Sequence, residues 1–517
     1  MKAYLLHRER DLELEPPPLA NAEALKQDLE LSTLFDAMAR GDGYLRELVE
    51  TVFLASLIDP EAIRYRQAIV GDCLEHPAIV RELYALAVEA VESKKQVQHF
   101  WFRDSPDAVL QKSLRILELL AGVLRRLRKL ADEHAGEFRS DGFTRLFAML
   151  ERDLDDDYLR TVDYHLRELS FRRGALISAK LGRANRGTNY VLRKPHERSL
   201  LERITPGGPG SYSFTIPARD EHGMQSLTEL RGRGINHAAN ALGQSVDHIL
   251  SFFNLLRAEV GFYVGCLNLH DQLADKDQPT CFPTPIAADE NWAFTVRGLY
   301  DACLAFHLGS RVVGNDVDAD GKRLVLITGA NQGGKSTFLR SVALAQLMMQ
   351  AGMFVPAASF SASVCSGVFT HFKREEDASM TSGKLDEELS RMSEIADAIT
   401  PTGLLLCNES FASTNEREGS EIARQVVRAM IEAKVKVFYV THLFDLADSI
   451  YKQQLETALF LRAERQPDGG RTFRVLPNEP LPTSYGEDSY RRIFGLADEA
   501  TDVAARPHPV LHEPHAH

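Results

Sequence analysis

The stretch Leu324-Val325-Leu326-Ile327-Thr328-Gly329-Ala330-Asn331-Gln332-Gly333-Gly334-Lys335-Ser336-Thr337 decides the fold of this 517-residue chain. Its apolar start predicts a buried parallel strand, and a helical pattern follows it up to Met349. Residues 329–336 fit the phosphate-binding pattern G-x-x-x-x-G-K-[ST], with the strand before it and the helix after it that this pattern requires. A chance glycine loop rarely has both flanks. The sequence therefore predicts an α/β domain with a P-loop.

The residue types of the P-loop motif (residues 329–336) indicate how it would bind ATP. Its glycines let successive backbone N–H groups turn towards a β-phosphate, and the following helix adds its positive N-terminal end. We expect Lys335 to bridge the β- and γ-phosphates and the Ser336 hydroxyl to bind Mg²⁺. The candidate nucleotide-binding residues here are Gly329, Asn331, Gly333, Gly334, Lys335, Ser336 and Thr337.

Two other apolar runs end in residues suited to catalysis. The run 404–407 ends at Asn408-Glu409, and we expect Glu409 to orient the attacking water as general base. Asn408 stands where aspartate is usual, so it offers only an uncharged amide oxygen to a water of the Mg²⁺ shell, and metal affinity or turnover should be reduced. His442 follows the run 435–441 and is expected to polarise the γ-phosphate. A histidine at a strand end is usually structural, but the P-loop context favours the catalytic interpretation.

The first half of the chain, from about residue 21 to 273, is predicted to be mostly helical. Its longest apolar stripe has alternating spacings of three and four residues, which predicts a helix of roughly 25 residues. An intramolecular helix pair and a dimeric coiled coil both fit such a stripe. The stripe consists of Val246, Ile249, Phe253, Leu256, Val260, Tyr263 and Leu267.

A glycine-rich, basic stretch at residues 171–216 interrupts this helical half. It carries nine lysines and arginines in a chain whose net charge is −13, and strand-like pieces are predicted at 189–192 and 211–216. Composition alone leaves open whether this stretch is a solvated loop or a nucleic-acid contact. The candidate nucleic-acid contacts are Arg183, Arg186, Arg193 and Lys194.

The overall composition excludes several classes of protein. With 44% hydrophobic and 26% charged residues, the chain is neither wholly disordered nor collagen-like, and its acidity excludes uniformly basic, histone-like nucleic-acid binding. The six cysteines include no C-x-x-C pair, which is typical of reduced thiols and offers no zinc site. Because the N-terminus is polar and no run approaches 18 apolar residues, we expect no membrane partner and a cytoplasmic or nucleoid-associated protein.

With these motifs in this order, the chain resembles the MutS family of DNA mismatch-repair ATPases, which are related to ABC-type ATPases. The resemblance is clear over residues 255–495 and looser over the helical half. It implies an α + α/β fold, in which an N-terminal helical lever-type domain precedes a P-loop, ABC-like ATPase domain. It also implies an Mg-ATP-dependent homodimer on double-stranded DNA, including mismatched or branched DNA. The matching segments are 329–340, 351–357, 369–372, 376–377, 388–389, 408–419, 441–442 and 484–486.

The resemblance adds two residues to the expected site and sets limits on the function. Asn315 lies in the segment that resembles the adenine-side approach, and Ser382 is a candidate for reaching the second subunit's nucleotide, because Gly383 stands at the expected serine. Because the helical region begins near residue 21, we expect neither the family's wedge domain that reads mismatches nor a C-terminal nuclease domain.

We therefore expect a dimeric clamp in DNA repair or recombination that does not read mismatches with an aromatic wedge. The alternative is a slow, nucleotide-gated binding module that acts on structured RNA, a ribosome or a protein partner. The acidic net charge favours this alternative, and the basic stretch favours DNA. The predicted domains are a lead-in (1–20), a helical core (21–170), a basic clamp-like insert (171–216), return lever helices and linker (217–290), the ATPase domain (291–500) and a disordered, His-rich tail (501–517).

Overall fold

The computed structural model describes residues 1–13, 19–98, 105–172, 174–194, 215–217, 219–288, 292–374 and 383–482. The chain divides into two compact units, one of residues 1–320 and 340–370 and the other of residues 321–339 and 371–517. The helices are α1 (Ala22–Asp28), α2 (Leu31–Ala39), α3 (Gly43–Leu54), α4 (Pro60–Glu75), α5 (Pro77–Gln98), α6 (Pro106–His134), α7 (Asp141–Asp153), α8 (Asp156–Leu169), α9 (Glu221–Ala274), α10 (Ala302–Leu308), α11 (Lys335–Gln350), α12 (Lys384–Ala398), α13 (Glu416–Glu432) and α14 (Phe444–Tyr451). The strands are β1 (Leu176–Leu181), β2 (Gly187–Arg193), β3 (Thr284–Ile286), β4 (Phe294–Leu299), β5 (Asn315–Asp318), β6 (Leu324–Gly329), β7 (Ser359–Ser363), β8 (Val368–Phe372), β9 (Leu404–Asn408), β10 (Lys436–Val440), β11 (Ala458–Arg465) and β12 (Arg471–Pro477).

The first unit is built around α9, a helix of 54 residues that is about 80 Å long at ~1.5 Å per residue. It packs against α2, α3, α5 and α6. Two glycines permit this close packing, since a Cβ atom would lie 2.8 Å from Leu48 Cδ2 if added to Gly261 and 2.8 Å from Val49 Cγ1 if added to Gly265. The predicted stripe therefore packs within the chain, as the intramolecular alternative required.

The predicted length of this helix, about 25 residues, was wrong. The stripe marks only the most continuously buried part of α9. Gly232, Ile235 and Ala239 are buried before it begins. Most side chains from 221 to 231 are exposed, so burial imposes no long apolar stripe on them. Asp220 caps the true start by accepting the Gly223 N–H at 2.9 Å. Among the described residues, α9 is also the single helix long and apolar enough to cross a membrane, but 72% of its most apolar window is buried inside the protein, as in an ordinary core helix.

The beginning of the predicted lead-in (1–20) packs into the first unit. Leu5 and Leu6 are fully buried. The Glu259 carboxylate accepts the Leu5 N–H at 2.5 Å, and the Tyr263 hydroxyl donates to the Leu5 carbonyl at 2.6 Å. Arg66 of α4 donates to the Leu6 carbonyl at 2.7 Å. These bonds join side chains to main chain across long sequence separations, so no local pattern announces them.

Two sheets complete the first unit. In the basic stretch, β1 and β2 pair as an antiparallel hairpin, with Leu176 opposite Arg193 and Leu181 opposite Gly187. The strand-like piece predicted at 189–192 is thereby confirmed. Of the piece predicted at 211–216, residues 211–214 lie outside the described residues, and 215–216 form no strand. A second, four-stranded sheet has the order β3-β7-β4-β5.

The second unit contains a six-stranded sheet of order β12-β11-β6-β10-β9-β8. Of β8, only the last two residues belong to this unit. Strands β11, β6, β10 and β9 are parallel, and β12 returns antiparallel to β11. Strands β6, β9 and β10 confirm the runs predicted at 324–328, 404–407 and 435–441, and nearly all their residues are buried. The chain thus combines a largely helical part with α/β structure, as predicted.

Candidate nucleotide site

The sheet order brings the predicted site residues of the second unit to one edge. β10 lies between β6 and β9, and all three are parallel, so their carboxyl ends meet. The P-loop motif follows β6, Glu409 follows β9 and His442 comes two residues after β10. Ligands of parallel α/β sheets commonly bind at this edge.

The P-loop motif has the backbone conformation that its glycines permit. Gly329 and Gly334 have φ angles of +108° and +87°. A Cβ atom on Gly329 would also lie 2.9 Å from the backbone nitrogen of Ala463 on β11, so a side chain there would clash with the neighbouring strand. The sequence pattern therefore reflects both the turn and its close contact with β11.

Lys335 begins α11 and is buried, with 5% of its surface exposed. Its Nζ donates to the carbonyl oxygens of Gly329 and Ala330, both at 2.9 Å. Burial lowers the pKa of Lys335 to about 8; the Glu409 carboxylate opposes this shift and the Arg471 guanidinium adds to it. The ammonium group is therefore held inside the loop by two neutral acceptors that phosphate oxygens could replace.

The two predicted metal-side residues contact each other directly. The Ser336 hydroxyl donates to Asn408 Oδ1 at 2.9 Å. A hydroxyl and an amide oxygen are hard, neutral donors of the kind that Mg²⁺ accepts beside phosphate oxygens and water. No cluster of three or more His, Cys, Asp or Glu side chains suited to a metal occurs among the described residues. The hydroxyl and amide oxygens fit a Mg²⁺ ion that would be brought in with a nucleotide.

Glu409 and His442 form the other half of the site. His442 Nε2 lies 2.7 Å from Glu409 Oε1, and both side chains are partly exposed. The hydrogen bond from His442 is the main cause that holds the pKa of Glu409 below its ordinary value, and the charge of Lys335 acts in the same direction. Glu409 is therefore an ionised acceptor at neutral pH. A cavity of about 380 Å³ opens beside His442, and Gly329 and Glu416 also line it.

The remaining predicted residues are placed differently. Thr337 lies in the first turn of α11. Asn315 begins β5 in the first unit and is buried. Ser382 and residues 484–486 lie outside the described residues, and Gly383 caps α12. Their expected roles stay predictions.

The structure adds Arg471 to this site, which the sequence analysis missed. Arg471 begins β12, and its Nε donates to the Asn331 carbonyl within the P-loop motif at 3.1 Å. The two residues are 140 positions apart, and only the β11–β12 hairpin brings them together. An arginine in an exposed hairpin has no motif that could have identified it.

The four candidate nucleic-acid residues lie together on the β1–β2 hairpin or immediately after it, and all are exposed. Arg193 Nε donates to Ser178 Oγ at 3.0 Å, and the Lys194 ammonium lies 5.2 Å from the centre of the Tyr164 ring. Arg183, Arg186 and Arg193 form no ion pair with any acidic residue that the structure describes. The hairpin is thus a basic, exposed surface.

The chain carries a P-loop motif at the carboxyl edge of a parallel sheet, and a bundle of long helices precedes this motif in the sequence. This combination defines a P-loop protein with a helical N-terminal part. Two family models match the chain: the MutS2 N-terminal domain over residues 58–276 and MutS domain V over residues 325–505. The chain belongs to the MutS family and is related to DNA mismatch-repair proteins.

Curated relatives agree with this assignment. The chain is 29% identical to the DNA mismatch repair protein MSH3 of Candida glabrata over 53% of this chain and 27% of the relative. It is 32% identical to the DNA mismatch repair protein MutS of Thermus aquaticus over 38% of this chain and 24% of the relative. It is 26% identical to the MutS protein homolog 4 of Mus musculus over 47% of this chain and 25% of the relative. The chain thus matches about a quarter of the length of these relatives.

Proposed function

We propose that this chain binds and hydrolyses Mg-ATP in an ABC-like ATPase domain, and that the helical half acts as a lever. The observation that carries the proposal is the convergence of Lys335, Ser336, Asn408, Glu409 and His442 from three adjacent strand ends, with contacts of 2.7 to 2.9 Å. Membership of the MutS family supports it.

Each of these side chains has a role that its contacts suit. Lys335 exchanges its two carbonyl partners for phosphate oxygens, which neutralise a partly desolvated ammonium better than neutral groups do. Ser336 and Asn408, the latter through water, would hold Mg²⁺, and the ion would supply charge stabilisation on the phosphates. Glu409 accepts the proton of the attacking water, and His442 keeps that carboxylate in place and faces the γ-phosphate.

Two substitutions test the hydrolytic role. Glu409→Gln should bind ATP but hydrolyse it at least 100-fold more slowly, because an amide cannot accept the proton of water. Lys335→Ala should lose both hydrolysis and most binding. Glu421→Gln removes a carboxylate on the exposed face of α13 and serves as the matched control. Phosphate release at the wild-type rate in both Glu409→Gln and Lys335→Ala would refute the assignment.

We also propose a homodimer in which the segment 382–388 of one subunit completes the other's nucleotide site. The resemblance around Ser382 and Glu388 and the cap of α12 at Gly383 support it. ATP should tighten dimerisation of Glu409→Gln, and mixing Lys335→Ala with Ser382→Arg should restore one site per dimer. Full ATPase activity from a strict monomer in light scattering would contradict this arrangement.

For the macromolecular partner, we propose double-stranded DNA, including mismatched or branched DNA, bound by the basic hairpin. Phosphate contacts by exposed arginines predict binding that tolerates sequence and depends steeply on salt. Replacing Arg183, Arg186, Arg193 and Lys194 with Ala should lower DNA affinity about uniformly and reduce the salt slope by about one for each phosphate that is no longer neutralised. This role places the chain among cytoplasmic or nucleoid-associated clamps of DNA repair or recombination.

The net charge of −13 favours a second candidate, a slow, nucleotide-gated module that binds structured RNA, a ribosome or a protein. Salt titrations with linear, mismatched and branched DNA beside structured RNA separate the two. Equal DNA binding by the wild type and the folded quadruple variant would remove the hairpin from the mechanism and favour this second candidate.

A further inference from the structure

The turn that carries Glu409 has an unusual backbone. Glu409 and Phe411 have φ angles of +55° and +61°, in the left-handed region that non-glycine residues rarely adopt. Two such residues on either side of Ser410 persist only where the surrounding structure holds them. The contacts around residues 409–411 (the base turn) therefore decide where the Glu409 carboxylate lies.

Contacts from β10 and α13 account for part of this support. The Glu409 N–H donates to the Val440 carbonyl at 2.9 Å, and the Tyr439 hydroxyl donates to the Ser410 carbonyl at 2.8 Å. Gly419 in α13 leaves room for the Phe411 carbonyl, since a Cβ atom there would lie 2.4 Å from that oxygen. These contacts fix the main chain of the base turn but not the Ser410 side chain.

His371 on β8 provides the rest. It is fully buried, its Nδ1 lies 2.7 Å from Ser410 Oγ, and its ring stacks on Phe411 with centres 5.4 Å apart. Its other nitrogen, Nε2, lies 2.9 Å from the Glu388 carbonyl in α12. One side chain thus contacts both the base turn and α12.

The two hydrogen bonds of His371 must run in opposite directions. A carbonyl oxygen only accepts, so Nε2 carries a proton and donates to Glu388. Burial lowers the pKa of His371 to about 4, so the ring is neutral and Nδ1 carries no proton. The single proton of the Ser410 hydroxyl is then shared between two acceptors, Nδ1 and the His371 carbonyl oxygen, each 2.7 Å from Oγ. A neutral imidazole is suited to this place because it can donate on one side and accept on the other.

A second contact ties the same residue of α12 to the chain just after the base turn. Ser413 Oγ donates to Glu388 Oε1 at 2.9 Å, and Glu388 is buried. Glu388 is therefore held by its carbonyl through His371 and by its carboxylate through Ser413. A shift of α12 would disturb both bonds.

We propose that His371 is a positioning residue that links α12 to the base turn. Through this link, the position of α12 controls where the Glu409 carboxylate lies for hydrolysis within the same subunit. This inference rests on the proposed ATPase function. It assigns to α12 an effect on its own subunit's site, in addition to the part that segment 382–388 plays in the partner's site. Loss of His371 should slow hydrolysis while leaving ATP binding intact.

Two substitutions of His371 each remove one of its two hydrogen bonds and can keep the other. An Asn side chain places a polar atom near the Nδ1 position and can keep the bond to Ser410, whereas a Gln side chain can reach the Nε2 position and keep the bond to Glu388. Both His371→Asn and His371→Gln should lower kcat at saturating Mg-ATP at least tenfold, while the Kd of a fluorescent ATP analogue stays within twofold of the wild type. Tyr300→Phe, which removes a buried hydroxyl in the first unit, is the control and should keep the wild-type kcat.

Ser410→Ala tests the same link from its other end and keeps the proposal falsifiable if the His371 variants do not fold. It should lower kcat at least as much, because it removes the bond to Nδ1 and the bond to the His371 carbonyl. The double variant with His371→Gln should be no slower than the slower single variant, because the bond between Ser410 and Nδ1 is already lost in each. Additive reductions in kcat, or equal changes in Kd and kcat, would mean a general structural role and would overturn the proposal.

The same assay separates this inference from the proposed function. If the wild type hydrolyses ATP, Lys335→Ala does not, and both His371→Asn and His371→Gln match the wild-type kcat, the inference is wrong and the ATPase assignment stands. If the wild type shows no turnover above that of Lys335→Ala, the ATPase assignment itself fails, and the inference fails with it.

Discussion

The buried ammonium group of Lys335 predicts a specific pH dependence of nucleotide affinity. The pKa of Lys335 is lowered from 10.5 to about 8, mainly by burial. Phosphate oxygens would restore the ordinary preference for the charged form, so binding takes up a proton wherever free Lys335 is neutral. Affinity should therefore be nearly constant below pH 7 and fall as pH rises through 8.

The size of the effect follows from the same value. With a pKa of about 8, about nine-tenths of the lysine is charged at pH 7 and only about one-tenth at pH 9. If binding requires the ammonium form, the Kd for a non-hydrolysable ATP analogue should rise roughly tenfold between these pH values, or about 1.4 kcal/mol. The charge of Glu409 raises the Lys335 pKa, so Glu409→Gln should move the midpoint of this change to lower pH.

Fluorescence titration at constant ionic strength and saturating Mg²⁺ measures this Kd. Lys335→Ala is the control: its residual binding should be weak and flat over the same range, because the titrating group is gone. A wild-type Kd that is constant from pH 7 to 9, or an equal slope in Lys335→Ala, would refute the link between burial of this ammonium and nucleotide affinity.

Three further predictions test other parts of the structure. Asn408→Asp should lower the Mg²⁺ concentration needed for half-maximal hydrolysis, since a carboxylate beside Ser336 adds attraction for the ion; an unchanged requirement would exclude Asn408 from the metal side. Burial raises the pKa of Glu259 to about 7, so between pH 4.5 and 7 the folded state keeps a proton that the unfolded state loses. The free energy of unfolding should therefore fall by roughly 3 kcal/mol over this range. Denaturant unfolding of Glu259→Gln should lack this pH dependence. Gly265→Ala should destabilise the chain by roughly 1–3 kcal/mol, because its Cβ would force α9 away from α3. Gly243→Ala is the control and should be neutral or stabilising, since its Cβ would meet only Ser113 at 4.0 Å. Equal melting temperatures of the two variants would contradict the packing of α9 on α3.

The site residues that the sequence could identify are those whose position depends on local pattern. Residues 329–336 carry their own turn chemistry, and Glu409 and His442 each follow a buried apolar run. Carboxyl ends of parallel strands meet at one edge, so these residues were expected to converge, and the structure brings Glu409 and His442 to 2.7 Å. Their catalytic roles stay predictions.

Only the tertiary structure placed the residues that support this site. Arg471 reaches the P-loop motif because β12 folds back on β11, and His371 reaches Ser410 because β8 and β9 are neighbours in the sheet. A lone buried histidine and a hairpin arginine look the same in sequence whether or not they touch a site. Pairing of distant strands is decided by the packing of the whole sheet, which no local window contains.

In the helical half, too, the sequence predicts some features and the tertiary structure decides others. The apolar stripe from Val246 to Leu267 was determined by sequence because periodic burial leaves a periodic pattern. The true extent of α9 and the packing of the N-terminal segment were not, because an exposed helix needs no stripe and Leu5 is held by Glu259 and Tyr263 through main-chain hydrogen bonds. Backbone donors and acceptors are the same for every residue type except proline. A residue that is held through its backbone groups therefore cannot be recognised from its identity in the sequence.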